Sequence, residues 1–560
     1  MGLLKKCPCF CVRGRGAVDD EINELDFSHC CLEEVPGTVF AHERTLETVR
    51  LDSNQIRELP RGLFHCEELR VLNLSDNELR SIPSAISSLI KLEELCIARN
   101  KLLQLPDSMK NCKCLMVVEA SINPLGPRLP DALTQLINLR ELYLNDTFLE
   151  YLPANFGRLG RLEIVELREN HLKTLPKSMT RLVELKRLDI GQNDFIEFPD
   201  VIGSLSNLTE LWCDFNKLIS ITDSIGNLRL LTYFDASYNK IEEISPEIGN
   251  CVNLTDLTLS SNNIQELPDT IGNLTQLVVL RLDENELRTI PSTIGRLSLM
   301  EEFILNENMI NELPSCVGLL RQLHTMIADC NKLDSLPISI CSCINLRILS
   351  LSDNCITDLP DDIGRLSSLQ VLNLCNNRIS YLPFSLTKIV NLKSLWLSEN
   401  QNKPLIQLHS EYGPNDPYKK VLTCVLLPQT KPDESITINV PNNGGGVDDA
   451  KNSSVPTRRK SSFLIASIDK PLIHFNLGSN NNELNPSSTN GDNDNPGEDD
   501  LSGVDDDSGR LLRQPTPYPK DLKVHARHAR NLVLKHLDLG NINLESVDKL
   551  SEEINSGKTY

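Results

Sequence analysis

Apolar residues recur along most of this chain with two superposed periods. Over short stretches they alternate, as in Leu72-Asn73-Leu74 and Leu280-Arg281-Leu282, the period-2 pattern of a strand with one buried face. An asparagine follows each stretch, at 54, 77, 100 and 123, then at 170, 193, 216, 239, 262, 285, 308, 331, 354, 377 and 400. The step is 23 residues, apart from a 24-residue step to Thr147, which stands where an asparagine is due. Each unit has the frame L-x-x-L-x-L-x-x-N-x-L-x-x-L-P, read in Leu69, Leu72, Leu74, Asn77, Leu79, Ile82 and Pro83.

This frame is that of a leucine-rich repeat. It predicts an α/β solenoid: a leucine-rich repeat horseshoe of about 17 units, with short parallel strands on the concave face and a largely disordered tail. The count includes Thr147 and a partial first unit through Phe27, Cys30, Leu32, Val35 and Pro36. One unit cannot bury its own leucines, so neighbours must stack and share a continuous core. The asparagine amides are expected to hydrogen-bond the main chain of adjacent turns, forming a ladder. The following L-P fixes φ and keeps the strand from extending, and I-G-x-L-x-x-L (Ile271, Gly272, Leu274, Leu277) returns the chain along the convex side. Two departures stand out: the extra residue within Asn123–Pro130, and Thr222 and Ser245 where proline is due. Loop drift explains both; a local change of curvature near a binding surface is the sharper reading.

Composition narrows the function. The net charge of −21 argues against nucleic acid, which needs a basic footprint. No apolar run is long enough to span a bilayer, and Met1–Lys6 lack the apolar core of a secretory signal. Of 18 cysteines, several (Cys96, Cys213, Cys330, Cys375) replace repeat positions as small hydrophobes. A reducing, cytosolic compartment is expected. Sequons such as Asn207-Leu208-Thr209 then read as repeat consensus.

Three further cysteines, Cys7, Cys9 and Cys11, lie beside Lys5, Lys6, Arg13 and Arg15. S-acylation there, with the cations drawn to anionic lipid, would give a membrane anchor. A metal-binding tract, a disulfide cap and a plain unstructured end remain as other readings. Lys6 stands where a myristoylation motif needs Ser or Thr, which argues against Gly2 as a lipid site.

After Lys431 the chain turns to Asn, Ser, Gly, Asp and Pro, a composition that builds no core. Arg458-Arg459-Lys460 precedes Ser461 and Ser462, candidate phosphorylation sites of a basophilic kinase. Asp492 to Gly497 begins like a calcium loop, but Gly503 stands where the bidentate Glu is needed, so no metal is expected. Leu522, Ala526, Ala529, Val533 and Leu537 form one helical stripe. It reads equally as a partner- or membrane-binding helix and as a solvated one.

The concave face is expected to carry the binding chemistry. Acids dominate its outward positions, among them Glu94, Glu119, Glu141, Glu166, Asp189, Glu210, Asp235, Asp256, Asp283 and Glu302. Aromatics gather in the middle at Tyr143, Trp212, Phe215, Tyr233 and Tyr238, with Arg168, Arg187 and Arg281 among them. In a chain that is 4% aromatic, such a cluster marks a candidate hot spot for a basic partner segment. The other reading is that some of these rings pack on each other or lie beside the ladder. No P-loop, kinase signature, zinc tetrad or nucleophile elbow is present, so neither catalysis nor a cofactor is expected.

The residues also carry a resemblance. The N-terminal cysteine stretch, the His29-Cys30 entry and the regular 23-residue array are similar to those of the LAP family, the group of Scribble, Erbin, Densin and Lano. Leu395-Trp396-Leu397-Ser398-Glu399-Asn400-Gln401 with Lys419-Lys420-Val421-Leu422-Thr423-Cys424-Val425-Leu426-Leu427-Pro428-Gln429 resembles the LAP-specific segment that closes the array. Pro515-Thr516-Pro517-Tyr518-Pro519-Lys520 looks like the second, shorter one. The resemblance implies a non-catalytic scaffold at the cytoplasmic face of the plasma membrane, at the lateral or basolateral cortex, cell junctions or synaptic sites. It implies acylated N-terminal cysteines and protein partners, and a role in polarity. The PDZ domains of most members are missing, as is a PDZ-ligand end, so a short or PDZ-less form is expected, without PDZ-mediated partners. The expected organisation is an anchor segment at 1–24, repeats at 25–408, a closing segment at 409–429, a disordered linker at 430–509, and the second segment with a candidate helix at 510–560. The other functional reading is a regulatory subunit of a Ras-pathway or phosphatase complex. An extracellular receptor fragment would need disulfides, glycans and a signal.

Overall fold

A computed structural model describes residues 22–413, 416 and 418–429. Cys7, Cys9, Cys11, Ser461, Ser462, the linker at 430–509 and the region 510–560 lie outside the described residues.

Seventeen three-residue strands, from Glu24–Asp26 to Ser394–Trp396, form one parallel sheet. The number of strands equals the number of repeats. Pairing keeps strict repeat register, so Leu257 faces Leu280 and Leu280 faces Phe303. The middle residue of each strand points inward and is buried, as Leu72, Leu188 and Leu280 are, while its two neighbours form the sheet face. Behind the sheet the helical part of each repeat is a single 3-10 turn, such as Asp269–Asn273. Among the described residues the one α-helix is the four-residue Thr38–Ala41 of the first unit. The turns sit close together: a Cβ on Gly272 would lie 2.5 Å from the Thr293 carbonyl oxygen of the next repeat.

The asparagine ladder joins these layers. Asn285 Nδ2 donates to the carbonyls of Leu282 and, one repeat back, Leu259, both at 3.0 Å; its Oδ1 accepts the Ile264 N–H at 3.1 Å. Each ladder asparagine of this kind thus satisfies three main-chain groups, each of which would cost about 1–3 kcal/mol if buried and left unpaired. The turn that aims the amide inward puts the preceding residue in the left-handed region, as at Glu284 (φ 55°).

The irregular positions explain themselves through the same hydrogen bonds. Thr147 bonds forward to Asn170 and to its own Leu144 carbonyl. In the repeat before it the Leu125 N–H, whose equivalents donate to the next ladder asparagine, donates to the Asn123 carbonyl, and the extra residue is accommodated at Gly126, where φ is +82°. Thr222 and Ser245 mark a second change. Lacking proline, Ser245 keeps an N–H, which donates to the Ile221 carbonyl, and Ser220–Ile221 pairs in parallel with Glu243–Ile244 as a small extra sheet.

One sequence expectation fails at the end of the array. Asn400 continues the spacing but is exposed and takes no place in the ladder. Gln429 does so instead. Its Nε2, one methylene further out than an asparagine amide, donates to Leu374 and Leu397 carbonyls at 2.8 and 2.9 Å, and its Oε1 accepts the Ile379 N–H at 3.0 Å. The intervening chain folds back to make this contact. Gln401 binds the main chain of Leu395 and Leu397, the Leu395 N–H donates to the Pro404 carbonyl, and His409–Tyr412 pairs antiparallel with Lys420–Thr423. That small sheet also takes in Leu382–Pro383. The last parallel strand is thereby covered rather than left as an open edge.

Candidate functional site

Parallel register sorts the outward residues of the middle repeats into two columns. One runs Arg187, Glu210, Tyr233, Asp256; the other runs Tyr143, Glu166, Asp189, Trp212, Asp235. Residues on adjacent strands and opposite columns meet diagonally. The Arg187 guanidinium accordingly lies over the Trp212 ring, 4.7 Å from its centroid. The Tyr233 ring packs on the other side, 4.9 Å from Trp212 and tilted by 34°. Burial, with the nearby Asp235 carboxylate, pushes the Tyr233 hydroxyl up to about 12.

Arg187 is bordered by Glu166 and Glu210 at 3.5 and 3.7 Å, and its Nε finds no hydrogen-bond partner. Cation–π contacts of this kind contribute about 0.5–2 kcal/mol. The contact here fixes Arg187 across an aromatic platform, with its buried Nε between the two glutamates.

Phe215 and Tyr238 occupy a different place. They precede ladder asparagines in the left-handed region, at φ 52° and 55°, and stack at 4.1 Å with planes 6° apart. They stand beside the ladder, forming a second aromatic surface along the edge of the sheet face. Bulky residues rarely adopt this backbone conformation, and here the repeat geometry imposes it.

Between the two aromatic groups lies Arg168, and it is a structural residue rather than an exposed contact. Its guanidinium is bidentate to Asp214, reaches Asp189 at 3.3 Å, and donates from Nε to Gln192. Burial works against its charge, but the Asp214 and Asp189 carboxylates outweigh that and raise its pKa above the ordinary arginine value. One guanidinium between two buried acids leaves a deficit, and it falls on Asp189. Burial pushes that carboxyl up to about 6, against the pull of Arg168 and of the Gly191 N–H.

Gly191 makes the arrangement fit, since a Cβ there would lie 2.3 Å from Arg168 Nη1 and 2.6 Å from Asp214 Oδ1. Asp214 and Gly191 escaped the sequence reading. The visible signal was a lone glycine at a position that carries serine in several repeats (Ser75, Ser121, Ser237, Ser260).

The acids are likewise not all on the surface. Glu119 and Asp189, expected as exposed charges, are both 8% exposed and accept main-chain N–H groups of Ser121 and Gly191. Tyr143 and Arg281 stand apart from the central cluster, each tied to a glutamate. Tyr143 donates to Glu141 at 2.8 Å, and Arg281 pairs with Glu302 at 3.1 Å. Two open clefts flank Arg128 at the irregular repeat. The larger, about 450 Å³, is lined by Arg128, Tyr151, Leu152, Ala154, Thr174 and Pro176. Among the described residues no group of three or more His, Cys, Asp or Glu is placed to hold a metal, no helix is long and apolar enough to cross a membrane, and no disulfide occurs.

Comparison with known proteins matches this geometry. The leucine-rich repeat region family matches residues 125–220, 213–304 and 327–410, and the leucine rich repeat family matches 44–102. A leucine-rich repeat protein of Leptospira interrogans is 30% identical and superposes with a TM-score of 0.58, over 70% of this chain and 91% of its own. The chain belongs to the leucine-rich repeat family. Within that family it is similar to human Erbin, 47% identical over 66 residues, and to human leucine-rich repeat-containing protein 7, 54% identical over 63 residues. Those stretches are 12% and 11% of this chain, and 4% of either relative's length. The matched families describe repeats and name no catalytic activity.

Proposed function

We propose that this leucine-rich repeat protein is a non-catalytic scaffold of the LAP type, docking protein partners on the middle of its sheet face at the cytoplasmic side of the plasma membrane. The observation that carries the reading is the Arg187–Trp212–Tyr233 platform. Aromatic rings with an arginine, held rigid by a sheet, are the composition of a binding hot spot. Acids surround it at Glu166, Glu210 and Asp256, which favours a basic partner segment. Similarity to Erbin and leucine-rich repeat-containing protein 7 supports the scaffold class. The N-terminal cysteines and their cationic neighbours support a lipid anchor, and the LAP resemblance supports a lateral or basolateral site with a part in polarity and junction organisation.

The test is imaging of tagged full chain in polarised epithelial cells, beside two variants. With Cys7, Cys9 and Cys11 all changed to Ser, the lateral signal should become cytosolic. With Trp212→Ala, the anchor remains but partner recruitment to the cortex should fall about tenfold, as for loss of a central aromatic. Cytosolic signal in all three would overturn the anchored scaffold and favour a soluble regulatory subunit.

A further inference from the structure

The sheet face changes character toward its C-terminal end. Every strand from Glu141–Tyr143 to Glu302–Ile304 carries a charged residue at an outward position. The next four strands, Thr325–Ile327, Ile348–Ser350, Val371–Asn373 and Ser394–Trp396, carry none. In their place Ile304, Ile327, Ile348, Val371 and Trp396 lie part-buried on five successive strands. Ile304 faces Ile327, and Ile348 faces Val371, directly across strand pairs.

Beyond the strands, Asp329 is half-buried and tied to Ser350 and Ser352, and the remaining charges stand at the two borders of this strip, with opposite signs. The residue just before the strand supplies Arg347 and Lys393. The residue just before the ladder position supplies Glu307, Asp353 and Glu399. Asn376 bridges the latter two, donating to Asp353 at 2.9 Å and to Glu399 at 2.5 Å, which holds the acidic border in line. The basic border begins beyond Glu301, which pairs with His324 at 3.5 Å.

We infer that this strip is a second docking surface, separate from the aromatic platform, and that its occupant is an amphipathic helix of a partner protein with basic residues along one flank and acidic residues along the other. Three features select that occupant. The strip is apolar along its middle, so the segment needs an apolar face. Its borders are oppositely charged, so a segment with split flanks satisfies both, and can do so in only one direction along the solenoid. Spacing selects the helix. Adjacent strands lie about 4.8 Å apart, close to the ~5.4 Å rise of one helical turn, so successive turns place an apolar residue over each strand. An extended segment presents the same face every ~6.7 Å and loses register by more than one strand across the strip. Five strands span roughly 19 Å, the length of about 13 helical residues.

The test measures fluorescence anisotropy of the full chain with a labelled, stapled helix of about 14 residues. It carries Leu at i, i+4, i+7 and i+11, Lys along one flank and Glu along the other. A second peptide of the same composition mixes Lys and Glu on both flanks. The split-flank peptide is expected to bind at least about tenfold more tightly than the mixed one, and to lose at least about tenfold on Ile327→Glu. Trp212→Ala should leave its affinity unchanged, which separates this surface from the aromatic platform. Ile327→Glu should fold, because Arg281 already occupies the equivalent outward position two strands away. Failure of the split-flank peptide to bind, equal binding of the two peptides, or indifference to Ile327→Glu would overturn the inference. Loss on Trp212→Ala alone would assign the peptide to the aromatic platform and overturn it equally.

Discussion

At the scale of residues, the middle of the sheet face is organised by a mismatch of charge. Arg168 serves both Asp189 and Asp214, and Asp189 is the one left short of compensation. Its folded carboxyl keeps a proton up to about 6, against 3.8 for an ordinary aspartate. Across that window the folded chain holds more proton than the unfolded one, so this group favours the fold at low pH and its contribution is lost as pH rises through about 6. Asp189→Asn retains an acceptor for the Gly191 N–H and removes the titration. The variant's melting temperature relative to the parent should therefore rise by a few degrees as pH goes from 4 to 7. An unchanged difference over that range would show that Asp189 titrates normally.

Elements are held by the ladder more than by helix or strand propensity, since three-residue strands and single 3-10 turns have little stability alone. The ladder must also end, and Gln429 ends it. Its side chain takes the bonds that the next asparagine would make, at the cost of folding back a closing segment that starts after Leu397. Gln429→Ala should lower stability by about 2–3 kcal/mol, from three main-chain groups each losing a bond worth roughly 0.5–1.5 kcal/mol. Asn400→Ala, at an exposed position, should stay within about 0.5 kcal/mol. Hydrogen exchange would locate the Gln429 effect at the Leu374–Leu397 end. Equal effects of the two substitutions would return the ladder position to Asn400.

For the repeat array as a whole, the functional consequence is a long face with distinct zones: charged and aromatic in the middle, apolar with charged borders toward the closing segment. A basic segment bound to the middle zone meets Glu166, Glu210 and Asp256, all near water, where attraction is screened over about 8–10 Å at ordinary salt. Raising ionic strength from roughly 0.05 to 0.5 M should therefore weaken that binding several-fold, chiefly by slowing association. A salt-independent affinity, measured by stopped-flow and titration, would show that the rings alone carry the contact.

The sequence by itself determined the solenoid, the strand positions, the count of units and the two irregular sites, because a repeat is local: each unit states its own strand, turn and ladder residue within 23 positions. It also placed Trp212, Phe215, Tyr233 and Tyr238 in adjacent repeats. The tertiary structure decided what neighbouring repeats do to one another. It divided the aromatics into an Arg187–Trp212–Tyr233 platform and a Phe215–Tyr238 stack, since one group sits on strands and the other on left-handed turns. It drew Arg168 under the face to Asp214, two repeats away, through the space that Gly191 leaves open. It replaced Asn400 by Gln429, whose contact with Ile379 spans 50 residues. Spacing along the chain carries the repeat, but a hydrogen bond is chosen by which group reaches an unsatisfied partner in three dimensions, and at the end of the array that group comes from outside the period.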